Sequence, residues 1–298
     1  MTERTADDAT EAFLAVRNLL FTVAYELLGS AADAEDVLQE TWLRWSAVDL
    51  AEVRDARPYL VRITTRLALN RLRSAQRRRE TYVGPWLPEP LLTAPDVADD
   101  AELAESVSMA LMVVLETLGP TERAVFVLRE VFGFEFDEIA RAVDKSPAAV
   151  RQIAHRARAH VEARRPRVAV SAAEARAALD TFRVAVMTGD PQAMLNVLAP
   201  DVVLLSDGGG VKQAALRPIV GAEKVTRFAA GAMGKAPGAV TAETAVVNGA
   251  PALALSVDGV LDAVVSVEVQ DGLITRVFIV RNPAKLTRIA EETELTLR

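Results

Sequence analysis

A chain of 298 residues without a single cysteine excludes a disulfide framework and a thiolate metal site, and its length allows two or three domains with real cores. A formal charge of -7 works against indiscriminate adhesion to DNA, so affinity for nucleic acid has to come from local patches. The beginning of the chain is acidic and polar rather than signal-like, and no apolar run approaches a membrane span, so a cytoplasmic chain is expected.

Residues 11–80 read as helices. Ala34, Val37, Leu38, Thr41, Trp42 and Trp45 recur at helical spacing on one face, while Asp33, Asp36 and Glu40 occupy another, with Glu35 and Gln39 beside them. That second face is either an ordinary solvated surface or a docking surface for a basic partner; the pattern leaves both open. The next helix starts after Pro58 and turns Leu60, Ile63 and Leu67 to the core. Between Arg62 and Arg79 it carries seven arginines and no carboxylate. Arg62, Arg66, Arg73 and Arg77 fall on one stripe, with Asn70 near it, Arg71 between, and Arg77, Arg78 and Arg79 closing the run. A solvated arginine face normally alternates with glutamate at i,i+4. Here nothing neutralises it, and phosphate is the better partner.

Residues 82–105 form a linker with Gly84, Pro85, Pro88, Pro90 and Pro95, followed by acids from Asp96 to Glu105. Helical periodicity returns over 106–165, and Pro166 ends it. Within that block Phe136, Ile139, Ala140 and Val143 make a short apolar-faced helix. Asp144 and Lys145 make a turn, Ser146 an N-cap, and Pro147 a first helical residue. The longer helix that follows buries Val150, Ile153, Ala154, Ala157 and Val161. It presents Ala148, Arg151, Gln152, His155, Arg156 and Arg158 on the other side, which is the helix-turn-helix form. Arginine can grip guanine and glutamine adenine, and Ala148 is small enough for close approach. His155 and His160, five apart, are poorly spaced for one ion, so surface histidines are expected and no metal site.

From Ser171 the texture changes. A helix with Leu179, Phe182 and Val186 on one side ends at Gly189, and Asp190-Pro191 opens a second. Asn248-Gly249, Asp258-Gly259 and Asp271-Gly272 then separate valine- and leucine-rich segments into a four-stranded antiparallel meander. Asp201–Ser206 adds a strand and Gly221–Gly234 a helix. This tail is an α+β domain, with helices on one face of a curved sheet.

These segments together resemble a bacterial sigma factor of the extracytoplasmic-function class. Asp33-Ala-Glu-Asp-Val-Leu-Gln-Glu-Thr-Trp-Leu-Arg-Trp45 resembles the region that docks on the clamp helices of RNA polymerase, which gives Asp33, Asp36, Gln39, Glu40 and Trp42 that role. Pro58 to Arg79 resembles the regions that melt and read the -10 element, implying contacts from Arg62, Arg66, Asn70, Arg71, Arg73, Arg77 and Arg78. Many relatives carry aspartate where Asn70 stands. Leu118-Gly-Pro-Thr-Glu-Arg-Ala-Val-Phe-Val-Leu-Arg129 with the helix-turn-helix resembles the region that reads the -35 element, which assigns Ala148, Arg151, Gln152, His155, Arg156 and Arg158. The resemblance covers about the first 165 residues in the family's order.

Tyr82-Val-Gly-Pro-Trp-Leu-Pro-Glu-Pro90 is similar to the linker signature of one subgroup with a fused SnoaL-like, nuclear-transport-factor-2-like domain. Asp207-Gly-Gly-Gly-Val-Lys212 and Asn282-Pro-Ala-Lys-Leu286 match its tail motifs, with Val211 inserted and Ala284 where aspartate is usual. The resemblance implies control of sigma activity in cis, with linker and glycine motif against each other. The regulatory contacts would come from Trp86, Leu87, Pro88, Glu89, Pro90, Asp207, Gly208, Gly209, Gly210, Lys212, Asn282, Pro283 and Lys285, including a Lys212–Glu89 pair. The expected layout is two all-α sigma domains, 1–81 (region 2 bundle) and 106–167 (region 4 helix-turn-helix), joined by the linker 82–105 and followed by an α+β cone at 171–298. The implied partners are core RNA polymerase, through clamp helices and flap, and promoter DNA. No cofactor is expected.

Two rival readings stand beside this one. A ketosteroid-isomerase-like enzyme in the tail would need a carboxylate base and an oxyanion donor. Residues 171–298 hold no tyrosine, histidine, cysteine or tryptophan, so the tail reads as non-enzymatic, with a small apolar ligand in the cone left open. A dimeric helix-turn-helix repressor would explain the second basic helix but not the first block.

Overall fold

Local signals set the helix ends of the first block. Gly29 takes a left-handed conformation (φ 67) and closes the helix α2, Arg17–Leu28, by donating its N–H to the Tyr25 carbonyl. One residue later the Ser30 side chain accepts from the Asp33 N–H and opens α3, Ala31–Trp45. With α1 (Glu3–Leu14) and α4 (Ala56–Arg79) these helices form a bundle. The expected face of α3 is buried at Ala34, Val37, Leu38, Thr41 and Trp45, and Trp42 is half-buried against Phe13, ring to ring at 5.3 Å. The Trp45 indole N–H donates to Ala9 O (2.8 Å), which fastens α1. The computed structural model describes residues 3–79, 81–94, 97, 101–164 and 171–297. Pro95, Asp96 and Pro166, read above as linker and helix breaker, lie outside the described residues.

The helices α5 (Ala101–Val107), α6 (Met109–Leu115) and α7 (Pro120–Phe126) lead to the helix-turn-helix, α8 (Phe136–Val143) and α9 (Pro147–Glu162). Its local chemistry is as expected. Asp144 is left-handed (φ 56), the Ser146 side chain accepts from Ala149 N, and Pro147 is the first helical residue. Val150, Ala154, Ala157 and Val161 are buried.

The chain divides into two units, and the division differs from the expected boundaries. One unit comprises residues 1–80, 112–165 and 294–298; the other comprises 81–111 and 166–293. The two helical sigma regions, expected as separate domains, therefore share a unit, in which α4 packs on α7 and α8. Glu116 explains part of this, because its carboxylate pairs with both Arg79 of α4 and Arg123 of α7. The last residues also belong here: Thr296 N donates to Thr22 Oγ1 (3.1 Å), Asn18 Nδ2 to Glu294 Oε2 (2.7 Å), and Leu295 is buried.

In the second unit the Ser171–Glu174 capping box opens α10 (Ala172–Thr188), and the Asp190 carboxylate caps α11 (Pro191–Val197). Six strands follow: β1 (Leu198–Asp207), β2 (Ile219–Val220), then, after α12 (Ala222–Met233), β3 (Val240–Val247), β4 (Ala250–Val257), β5 (Val260–Gln270) and β6 (Leu273–Val280). The sheet order is β2-β1-β6-β5-β4-β3. β3 to β6 are the expected meander, turned at Asn248, Asp258 and Asp271, each with positive φ. β1 joins parallel to β6. One sheet face, with Leu204, Leu253, Val265 and Val277, packs on Leu179, Phe182, Met194 and Val225 of the helices. Asp207, Val280 and Val264 share a row one residue out of step with these, and so point to the opposite face.

Candidate functional site

The α9 residues Ala148, Arg151, Gln152, His155, Arg156 and Arg158 are all exposed, on the side opposite the buried row. Arg158 is held in a fork by Glu130, with Nε and Nη2 contacts of 3.0 and 2.7 Å. Arg151 lies 5.5 Å from the Phe136 ring, and His160 shares a 2.7 Å hydrogen bond with Thr117. Besides Arg158, the side chains of Arg151, Gln152, His155 and Arg156 thus stand exposed on this helix, which suits contact with phosphate and base edges.

The α4 stripe is less uniform. Asn70 and Arg73 are exposed and bonded to each other, Nη1 to Oδ1 at 3.3 Å. Arg62 stacks on Tyr59 at 4.8 Å. Arg66 donates to the carbonyls of Arg141 (3.0 Å) and Ala142 (3.4 Å) in α8, so its donors face the helix-turn-helix. Arg71 donates to Asp33 Oδ1 (2.7 Å) and also pairs with Asp36. Two acids assigned to polymerase docking and one arginine assigned to DNA therefore engage each other. Glu40 pairs with Arg44 (2.7 Å), and Gln39 is exposed. The side chains of Arg77 and Arg78 lie outside the described residues. Arg79, which closes the basic run in sequence, is a structural residue: it pairs with Glu116 and donates to Leu28 O (2.6 Å).

The linker and the tail motifs meet at Asp207. This carboxylate is fully buried at the end of β1 and fully partnered. Its Oδ1 accepts from the Tyr82 hydroxyl (2.6 Å) and Gly209 N (3.0 Å); its Oδ2 accepts from Leu87 N (3.0 Å) and Lys285 Nζ (2.7 Å). Lys285 also donates to Leu87 O, and its ammonium sits 4.0 Å from the Trp86 ring and 5.2 Å from that of Tyr82. Asn282 Nδ2 donates to the Tyr82 hydroxyl (2.8 Å), and its Oδ1 accepts from Ala284 N (3.1 Å) at the turn Pro283–Lys285. Gly209 has φ 65, and a Cβ there would lie 2.5 Å from the Asn282 side chain. That close approach requires glycine. Gly208 is similarly confined, since a Cβ there would lie 2.2 Å from Lys212 O, and a Cβ on Gly210 would meet Val83 at 3.4 Å. Leu87, Pro88, Glu89 and Pro90 are all buried.

Two expectations change here. Lys212 does not pair with Glu89; it pairs with Asp262 (2.8 Å), which Arg281 also holds (2.6 Å). Burial alone would raise the Asp262 carboxyl, but hydrogen bonds from Lys212 and Arg281 outweigh it and keep the group below its usual range. The lysine of the clasp is Lys285. With Val211 inserted and 76% exposed, the loop carries Lys212 to a different partner. Tyr82 was missing from the expected site residues although it supplies the central hydroxyl; its place at the head of the linker motif was the available signal.

Burial, then the hydrogen bond and charge of Asp207, push the Tyr82 phenol well above its ordinary value near 10. A raised acid pKa stabilises the fold fully below the unfolded value, and that contribution is lost as pH rises through the interval above it. Unfolding measured from pH 8 to 11 should show an alkaline loss of stability that Tyr82→Phe lacks. At neutral pH that variant should be less stable by about 1–3 kcal/mol.

The comparisons agree with this layout. The family model for sigma-70 region 2 matches residues 12–78, and that for sigma-70 region 4 matches residues 108–161. The chain is 38% identical over 288 residues to the ECF RNA polymerase sigma factor SigJ of Mycobacterium tuberculosis (strain ATCC 25618 / H37Rv), covering 92% of each protein. It is 30% identical to the probable ECF RNA polymerase sigma factor SigI of the same strain, covering 96% of this chain and 97% of that protein. The crystal structure of M. tuberculosis SigJ superposes with a TM-score of 0.75 at 34% identity, covering 94% of this chain and 98% of that one. The chain belongs to the extracytoplasmic-function RNA polymerase sigma factors. It is an alternative sigma factor with two helical sigma regions and a C-terminal α+β domain. Among the described residues no helix is long and apolar enough to cross a membrane.

Proposed function

We propose that this sigma factor brings core RNA polymerase to its promoters through two basic helices, and that its α+β domain sets its activity in cis by gripping the linker. In this reading α9 reads the -35 duplex through Ala148, Arg151, Gln152, His155, Arg156 and Arg158. Arg62, Arg66, Asn70, Arg71, Arg73, Arg77 and Arg78 of α4 hold and read the opened -10 strand, where a basic groove follows the backbone. Asp33, Asp36, Gln39, Glu40 and Trp42 dock on the polymerase clamp helices, and region 4 meets the flap. The work is done in the cytoplasm and needs no chemistry on the sigma factor's own side. Asp207, Asp258 and Asp262 support the non-enzymatic reading, because each is committed to structure: Asp207 and Asp262 to cations, Asp258 to the Ala239 N–H.

The observation that carries control in cis is the clasp at Asp207, where linker residues Tyr82 and Leu87 and tail residue Lys285 converge on one buried carboxylate. A proline-stiffened segment loses little entropy on docking, which suits it to a reversible grip. The test is transcription with core polymerase on a genomic template library, comparing the full chain, a chain cut after Arg167, one cut before Asn282, and Trp86→Ala. Promoter-specific initiation that differs among the four supports the reading. Equal initiation from all four removes control in cis. Tight operator binding without core, and no initiation with it, would favour the repressor.

A further inference from the structure

The Asn248-Gly249 turn was expected only to reverse the chain between β3 and β4. Asp258-Gly259 and Asp271-Gly272 mark comparable turns at exposed positions. Asn248 is different: it is 1% exposed and spends its polar atoms on the linker. Its N–H donates to Leu91 O (2.9 Å), its Oδ1 accepts from Leu91 N (3.1 Å), and its Nδ2 donates to Val107 O (2.9 Å). Gly249 N donates to Thr93 Oγ1 (3.1 Å), Thr93 N to Val246 O (2.9 Å), and Leu92 forms a single antiparallel bridge with Val247. A Cβ on Gly249 would lie 2.6 Å from Ala104 Cα, so the linker backbone rests directly on the glycine.

Residues 101–118 contain neither glycine nor proline and are rich in alanine, leucine, methionine and glutamate, all strong helix formers. Yet the helix stops at Val107 and restarts at Met109. In an unbroken helix the Leu111 N–H would bond to the Val107 carbonyl. Instead Leu111 N donates to Ser108 Oγ (3.2 Å), and Val107 O accepts from Asn248 Nδ2 (2.9 Å). Ser108 takes the donor and Asn248 takes the acceptor of the same missing helical bond. Without Asn248 the buried Val107 carbonyl loses this partner, and the helical bond is the nearest replacement.

We propose that the Asn248-Gly249 turn is a docking site whose occupant is this chain's own segments Leu91–Thr93 and Ala104–Val107, and that this docking holds open the helix break at Ser108. Released from it, residues 101–115 join into one helix, which changes how region 4 is delivered. The transcriptional consequence rests on control in cis as proposed above; the helix break does not.

The chain has no native cysteine, so spin labels at Glu102→Cys and Ala110→Cys in the full chain report the break directly. Asn248→Gly keeps a left-handed turn and removes the side chain. Asp271→Gly makes the same change in an exposed turn and serves as control. Asn248→Gly should move the labelled positions toward about 12 Å between Cα atoms, eight residues of straight helix, and should alter initiation with core, while Asp271→Gly leaves both as they were. An Asn248→Gly chain with the parent's label separation overturns the docking. A shifted separation with unaltered initiation upholds the docking and removes its link to control in cis. Asn248→Asp, which retains Oδ1 but sets an oxygen against Val107 O, should shift the labels the same way and decides the matter if the glycine variant does not fold.

Discussion

Asp207→Ala will destabilise the α+β unit by about 3–5 kcal/mol, the cost of stripping one partner from a buried ion pair. The Lys285 ammonium, 11% exposed, would be left in a pocket without its counter-charge, and the N–H groups of Leu87 and Gly209 would lose their acceptor. Lys285→Met should cost a similar amount for the mirror-image reason, because it leaves the carboxylate buried and short of a cation. The double variant Asp207→Asn with Lys285→Met should recover much of the sum, since it removes both charges and sets an apolar chain under Trp86. A double-mutant cycle by denaturant unfolding, with Asp207→Asn as the matching single variant, measures that coupling. Simple additivity of the two single losses would show that the clasp is not one electrostatic unit. The functional counterpart is quicker cleavage within residues 82–92 on limited proteolysis of Asp207→Ala, together with altered initiation by the holoenzyme.

Much of the fold was legible because its signals are local. Ser146, Pro147 and the left-handed Asp144 specify the helix-turn-helix within four residues, and the three turn dipeptides specify the meander. The clasp was half legible. The linker and glycine motifs were expected to touch and Lys285 to take part, but the one pairing drawn, Lys212 with Glu89, fails, since only the loop path decides which carboxylate Lys212 meets. What stayed hidden depends on distant partners. Arg79 looks like a continuation of Arg77 and Arg78, and only Glu116, 37 residues away, makes it structural. Asn248 is fully accounted for by its turn dipeptide, which masks its second role, and its partner Val107 lies 141 residues earlier. The parallel pairing of β1 with β6 leaves no periodic trace either, because register across a sheet is a tertiary choice.

Glu116→Ala should loosen the helical unit more than any exposed ion-pair change, and in a particular direction. Arg123 is 1% exposed, Arg79 is 14% exposed, and both share the Glu116 carboxylate. Each also caps the end of α2, Arg123 through Glu26 O and Arg79 through Leu28 O. Removing Glu116 leaves two like charges close together in a poorly solvated place, at a cost of about 3–5 kcal/mol. Because Arg79 belongs to region 2 and Glu116 and Arg123 to the region 4 side, that cost falls on the packing of α4 against α7 and α8. At about 1.4 kcal/mol per factor of ten, the separated arrangement gains roughly a hundredfold or more in population. Separation frees Arg66 from the carbonyls of Arg141 and Ala142, which returns its donors to a nucleic-acid partner. Spin labels at Ser74→Cys and Lys145→Cys should therefore move apart in Glu116→Ala before the unit unfolds, and core polymerase should be engaged faster than by the parent chain. Glu116→Gln separates charge from packing: it keeps the shape, and if the ion pairs matter it should behave like the alanine variant. A Glu116→Ala chain with parental label distances and parental engagement would mean that the two sigma regions are held together by their apolar contacts alone.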